Sequence, residues 1–359
     1  MTRLAVVLFN LGGPDRTEAV EPFLFNLFND PAIIALPGPL RWPLAKLIAK
    51  KRAPTARAIY AELGGGSPLL AETEAQAMAL TRALDNAMTD EGDAVAVFIA
   101  MRYWRPMSDE TAAAVKAFAP DEIVLLPLYP QYSTTTTGSS LMEWRRAAAK
   151  AGLTQPTKAA CCYPTEEGFV GAHAAQIMPA LRQAANHGKP RLLFSAHGLP
   201  KKVVAGGDPY QWQVERTCEA VVAALAAMRG VADPAWSDLD WAVCYQSRVG
   251  PLEWIGPSIE DELARAGGDG VPVVVVPIAF VSEHSETLVE LDVEYRKRAR
   301  ELGVPDYVRV RTLGAQKQFI AALVRVVAGT RGGGGLSAAA GARICPAARH
   351  GCPLAGAAA

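Results

Sequence analysis

Short, unbroken apolar runs recur along this chain, and each is followed at once by polar or small residues and then by a segment of helical periodicity. The clearest run is Val273 to Val276, within VPVVVVPIAFVSEHSETLVELDVEY at 271–295. A run this short suits a strand covered on both faces, as in a parallel sheet under helices. Comparable runs lie at 4–10, 94–100, 122–128, 159–162, 191–196, 241–245 and 307–312. Helical periods are read between them, at 55–63 behind Pro54, 71–88, 166–185, from the Gly207-Asp208-Pro209-Tyr210 loop to about 228, and 315–327. Strands alternating with helices predict an α/β fold of parallel sheets joined by right-handed crossovers. The pattern restarts near Pro156, so the simplest account has two βα halves.

The remaining segments behave differently. Residues 20–50 are rich in Phe, Leu and Ile but cut by Pro31, Pro37, Pro39 and Pro43, which predicts short helical pieces. That segment reads either as core or as an exposed apolar lip for a flat ligand or a membrane, closed by Lys46, Lys50, Lys51 and Arg52. From Ala328 the composition collapses into Gly and Ala, which predicts a flexible tail carrying Cys345 and Cys352.

Composition narrows the classes. The 359 residues have a formal net charge of zero, so no global field recruits nucleic acid or an acidic surface. No apolar run reaches bilayer-spanning length. The opening MTRLAVVLFNLGGPD runs straight into a strand and is not read as a signal peptide, so a cytoplasmic location is expected. In that compartment the six cysteines are expected to be buried, reactive or metal-binding rather than disulfide-bonded.

The strand ends gather the chemistry. They present Asn10, Arg102, Tyr103, Tyr129, Gln131, Tyr132, His197, Gln246, Ser247, Glu283, His284 and Glu286, at the sheet edge where open α/β folds keep ligands. Ser282 is placed to cap a helix whose Glu283, Glu286, Glu290 and Glu294 share one face. No nucleotide-binding glycine fingerprint, serine elbow or zinc-protease motif is present. A histidine facing carboxylates suits proton abstraction, and imidazole with carboxylates suits transient binding of a divalent first-row ion.

The order of several long motifs makes the resemblance specific. NLGGP (10–14), GGGSP (64–68), PLYPQYS (127–133), TTGSS (136–140), SAHGLP (195–200), GDPY (207–210), QSRVGPLEWIGP (246–257) and FVSEHSETLVELDVEY (280–295) all stand in the chain. Over about residues 3–328 the sequence resembles the ferrochelatases, which insert Fe2+ into a porphyrin to make haem. The resemblance implies two similar Rossmann-like (chelatase-type) domains, each a parallel sheet flanked by helices, with the active-site cleft between them. On that basis residues 1–155 form the first domain with the porphyrin lip at 20–50. Residues 156–314 form the second, 315–328 a helix packing back on the body, and 329–359 the tail.

By the same resemblance His197 and Glu286 are the catalytic pair, and they handle metal together with Glu283, His284 and Glu290. Leu11, Arg102, Tyr103, Tyr129, Ser133, Trp254 and Phe280 are placed around the macrocycle. Porphyrin and ferrous iron are the implied substrates, with protoporphyrin IX as the porphyrin; a coproporphyrin enzyme or a non-catalytic haem or metal carrier is the alternative. Peripheral contact with the inner face of a membrane through the lip is implied too, as monomer or homodimer. Some members hold a [2Fe–2S] cluster on one internal cysteine and several in a C-terminal extension. The internal position of the animal members is Ala172 here, and Cys161, Cys162, Cys345 and Cys352 are the available set, with a bystander cysteine, zinc or no metal as alternatives.

Overall fold

A computed structural model describes residues 2–87, 93–229, 239–247 and 252–355. Residues 248–251 of the QSRVGPLEWIGP motif lie outside this set. The chain divides into two compact units. The first comprises Met1–Tyr163 with Leu323–Ile344 and Cys352–Ala359, and the second Pro164–Ala322 with Cys345–Gly351.

In the first unit, strands β1 (Arg3–Asn10), β2 (Ala94–Met101), β3 (Glu122–Pro127) and β4 (Thr157–Ala160) form a parallel sheet in the order β2-β1-β3-β4. In the second, β5 (Arg191–His197), β6 (Asp240–Gln246), β7 (Val273–Pro277) and β8 (Tyr307–Arg309) repeat that order as β6-β5-β7-β8, again all parallel. The apolar runs form these strands because the central ones are covered on both faces: residues 4–9 of β1 and all five residues of β7 are buried. Each sheet changes winding direction between its first and third strands, which opens a crevice at their carboxyl ends. The crevice of the second unit thus falls between the ends of β5 and β7, where His197 and the acidic segment emerge.

Three sequence expectations change. The tail is not a loose extension: Leu336–Ser337 forms a strand, β9, which pairs in parallel with β4. Cys161 N donates to Ser337 O at 2.7 Å and Ala339 N to Cys162 O at 3.0 Å. Without this strand β4 would be an open edge, and its unpaired N–H and C=O groups supply the docking energy that composition does not reveal.

The prolines of the lip do not chop it into short helices. Val20–Phe28 is one helix and Gly38–Ala61 a second of 24 residues, running through Pro43 and Pro54. Expected only over 55–63, that helix absorbs two lost hydrogen bonds because Ala45, Ala49 and Ala53 form a buried stripe at four-residue spacing. The buried face packs with Val20, Phe23, Leu24 and Tyr103. The small residues face inward and the large ones outward: Leu40, Trp42 and Leu47 are 62%, 51% and 65% exposed.

The acidic helix is also different. It spans Glu286–Glu294 as a π-helix, and Ser282 does not cap it. A helix of this wider kind is uncommon and concentrates at functional sites.

Candidate functional site

His197 is the last residue of β5 and is partly exposed. Its Nδ1 lies 2.6 Å from Gly198 O. A carbonyl only accepts, so Nδ1 carries a proton, and when the ring is neutral Nε2 keeps its lone pair. Nε2 in turn faces Glu286 Oε2 at 3.8 Å, too far for a hydrogen bond. That Glu286 oxygen is buried and has no hydrogen-bond partner among the described residues. With the ring neutral, two acceptors face one another, and no donor among the described residues stands between them.

Glu290 follows one turn later. Its Oε2 accepts from Ser247 Oγ at 2.6 Å and Gln246 Nε2 at 3.1 Å. Burial first, and then the neighbouring Glu286 carboxylate, push its pKa up to about 8, despite those two donors. The Trp254 ring centroid lies 6.5 Å from that of His197.

Glu283 and His284, expected to handle metal, make structural contacts in this structure. The Glu283 carboxylate takes two contacts from Arg309, at 2.8 and 3.0 Å, and the N–H of Thr312 at 3.0 Å. Arg309 also binds Asp292, so a buried ion-pair cluster ties the two ends of the acidic segment to β8. Although burial opposes it, this pairing holds the Glu283 carboxyl below its ordinary pKa. His284 Nδ1 accepts the N–H of Glu286 at 3.1 Å, and the N–H of His284 donates to Thr287 Oγ1 at 3.0 Å. Burial holds this imidazole below its ordinary pKa, with the edge of Phe280 against it at 4.7 Å between centroids. These two side chains build the start of the helix that Ser282 was expected to cap.

The first unit arranges its candidates around Asp30. Asp30 Oδ2 accepts from Tyr103 Oη at 2.7 Å and Ser139 Oγ at 2.5 Å, and pairs with Arg102 at 2.8 Å. Arg102 Nε donates to Ser139 Oγ at 2.7 Å. Burial, then Asp30, raise the Tyr103 pKa well above that of an ordinary phenol. Tyr129 is likewise pushed up by burial, its hydroxyl beside Ser140. Ser133 accepts the N–H of Thr135 at 3.1 Å and starts a short π-turn at Thr134–Gly138. Leu11 sits half-buried in the loop after β1. The NLGGP and GGGSP motifs meet there: a Cβ on Gly13 would lie 2.6 Å from the Ser67 side chain, and Ser67 N donates to Pro14 O at 2.7 Å.

All six cysteines are buried and none forms a disulfide. In the first unit the Cys161 thiol contacts those of Cys162 and Cys352, and the neighbouring thiols with burial push its pKa far up. Cys345, in the second unit, accepts from Gln213 Nε2 at 3.2 Å. Among the described residues no three His, Cys, Asp or Glu side chains form a ready-made metal site.

Sequence reasoning passed over Asp30, Arg309 and Gln213. Asp30 left a signal, being the only acid between Glu21 and Glu62 in a strongly apolar stretch. Arg309 left none, since its partner is set by strand order in the sheet.

Comparison with known proteins follows this geometry closely. The ferrochelatase family model matches residues 3–330. Ferrochelatase of Caulobacter vibrioides is 57% identical over 325 residues, covering 90% of this chain and 89% of that one. Ferrochelatase of Phenylobacterium zucineum is 54% identical over 350 residues, covering 98% and 97%. Among solved structures, SirB from Bacillus subtilis with Fe3+ superposes with a TM-score of 0.50 at 11% identity, over 92% of this chain and 98% of that one. At that identity the likeness shows the fold alone, two helix-flanked parallel sheets.

Proposed function

The chain belongs to the ferrochelatase family, and from that membership we propose how its own residues insert ferrous iron into a porphyrin in haem biosynthesis. His197 Nε2 accepts the pyrrole protons and the Glu286 carboxylate stabilises the imidazolium that results. The observation that carries this reading is His197 Nε2 facing, at 3.8 Å, a buried Glu286 Oε2 that has no hydrogen-bond partner among the described residues. A pyrrole N–H is the kind of donor both lack. Two protons leave as one Fe2+ enters, so each turnover must clear two protons from the site. Glu290, poised to titrate near pH 8 beside Glu286, takes and releases them at little cost and serves as the outward relay. Glu286 and Glu290 are also the carboxylates through which Fe2+ passes. Glu283 and His284 join His197 in that metal-handling set and also shape the helix that presents those two carboxylates.

On their own units, Leu11, Trp254 and Phe280 offer apolar surface to the macrocycle, while Arg102, Tyr103, Tyr129 and Ser133 line the polar side. We take protoporphyrin IX as the porphyrin. Fluorescence of protoporphyrin IX or coproporphyrin III, followed without oxygen as Fe2+ is added, tests the whole reading. The wild type is expected to consume protoporphyrin faster, and His197→Ala or Glu286→Gln to fold normally but react at least about 100-fold slower. Near-wild-type rates in either variant overturn the roles. Stoichiometric haem binding without insertion would instead make the chain a carrier.

Two further parts of the reading concern the cysteines and the lip. The Cys161 thiol lies against those of Cys162 and Cys352, and these three with Cys345 are the set that would hold a [2Fe–2S] cluster. Such a cluster supplies one-electron redox chemistry when bound. Visible absorption and electron paramagnetic resonance of anaerobically purified protein test it, and a colourless, iron-free wild type would refute it. The lip turns Leu40, Trp42 and Leu47 outward beside Lys46, Lys50 and Lys51, which supports peripheral contact with an anionic membrane face. No helix among the described residues is long and apolar enough to cross a membrane. Co-sedimentation with anionic vesicles should be lost in Leu40→Glu/Leu47→Glu, and light scattering separates monomer from homodimer.

A further inference from the structure

His197 and Glu286 sit on different elements, one ending β5 and the other opening a helix after β7, so something must fix their spacing. We infer that Gln246, with Ser247 beside it, is the positioning residue of the site. The inference rests on the roles proposed for His197, Glu286 and Glu290.

Gln246 ends β6 and is the register partner of His197 in the sheet. Its backbone carbonyl accepts the N–H of Gly198 at 2.9 Å, fixing the turn whose carbonyl orients the His197 ring. The side chain has no exposed surface and its amide is used completely. Oε1 accepts from Ser195 Oγ at 2.7 Å. Nε2 donates to Glu286 O at 3.0 Å and to Glu290 Oε2 at 3.1 Å. A flipped amide would set an oxygen against a carbonyl and a carboxylate, so the network admits one orientation. One buried side chain thus joins the strand that carries the base to the backbone of one acid and the carboxylate of the next.

Ser247 adds a separate observation. Its φ is +63°, one of only two positive values at non-glycine residues among those described. Side-chain-bearing residues hold that conformation only where the surroundings enforce it, and such positions gather at functional sites. The result here is a hydroxyl 2.6 Å from the same Glu290 oxygen that Gln246 binds. Two consecutive residues therefore converge on a single carboxylate oxygen. The carbonyl that Gln246 holds is the first of the π-helix, where the wide ring makes the backbone register least self-supporting. Gln246 fixes that register, and with it the places of Glu286 and Glu290 relative to His197.

Gln246→Met keeps the volume and removes every side-chain hydrogen bond. It should lower kcat about 10- to 100-fold, the scale of misplacing a reacting group by about an ångström. The KM for porphyrin should change less than about twofold, and thermal unfolding should stay cooperative. A merely structural residue would not give that split. Because Gln246 acts through the acidic helix, Gln246→Met should cost distinctly less in a Glu290→Ala background. Wild-type kcat in Gln246→Met, or losses that simply multiply in the double variant, would overturn the inference. Should Gln246→Met fail to fold, Ser247→Ala and Ser247→Gly give the second test. Both should lose about 5- to 10-fold in kcat although glycine relieves the backbone strain, since the hydroxyl is what acts. Full activity in both would refute the role of Ser247 and the convergence on Glu290. Failure of the underlying roles has a different signature, namely unimpaired His197→Ala and Glu286→Gln.

Discussion

The two units hold their central carboxylates in opposite ways. Asp30 in the first collects a tyrosine, a serine and an arginine on one oxygen, and the N–H of Ala32 at 2.8 Å on the other. Glu286 in the second leaves an oxygen buried with no partner among the described residues, 3.8 Å from the Nε2 of His197. Leaving a buried acceptor unsatisfied costs stability, whereas a saturated one anchors structure. Family resemblance places Arg102 and Tyr103 near substrate, yet their strongest ties are to Asp30. The contrast separates groups that hold the site from groups left free to react.

The sharpest way to break that contrast is to remove Asp30. Asp30→Ala strands a nearly buried Arg102 and should cost about 3–5 kcal/mol in chemical denaturation. Glu286→Gln, by comparison, should unfold at or above the wild-type midpoint. Equal stability losses in the two variants would show that the unpartnered oxygen of Glu286 carries no strain and that the contrast fails.

Glu290 sharpens it next. Its carboxyl is held at about 8 in the fold against an ordinary 4.5. Between those values the folded chain binds a proton that the unfolded chain releases, so this contribution is intact below pH 4.5 and is lost as pH rises through 8. Glu290→Gln should therefore raise the melting temperature, relative to wild type, more at pH 9 than at pH 5.5. A difference independent of pH would mean that the carboxylate is already ionised at neutral pH.

The smallest expected effect concerns His173, buried in the helix Glu167–Ala184 with both ring nitrogens unpartnered and its pKa pushed down to about 3 by burial. Here the unfolded chain takes a proton below 6.5 that the folded chain refuses, so stability is lost as pH falls from 6.5 toward 3. His173→Phe should flatten that acid limb and add about 1 kcal/mol at neutral pH. An unchanged acid limb would show that His173 does not titrate with folding.

Much of this was legible from residues alone. All eight sheet strands of the two halves lie at or overlap the apolar runs, most plainly the central ones, where burial on both faces demands an apolar composition that a short window displays. The serial motifs identified the family for the same local reason. The lip was harder: Pro43 and Pro54 argue against a long helix, and only the alanine stripe packed on Val20–Phe28 overrides them.

Sequence by itself determined the strand order of events along the chain, the family, and the set of acids and histidines that reach the carboxyl ends of the strands. Tertiary structure alone decided which of them remain available. Glu283 and Glu286 stand three residues apart and look equivalent as letters, but Arg309 arrives from β8 to neutralise one, while among the described residues no cation but the His197 ring, 3.8 Å away, faces the other. The same holds for the tail, which is a featureless Gly-Ala run until β4 offers it an edge. Apolar patterning is a local property of the chain, while the partner of a charge or of an open backbone group is chosen by which segment the fold brings beside it.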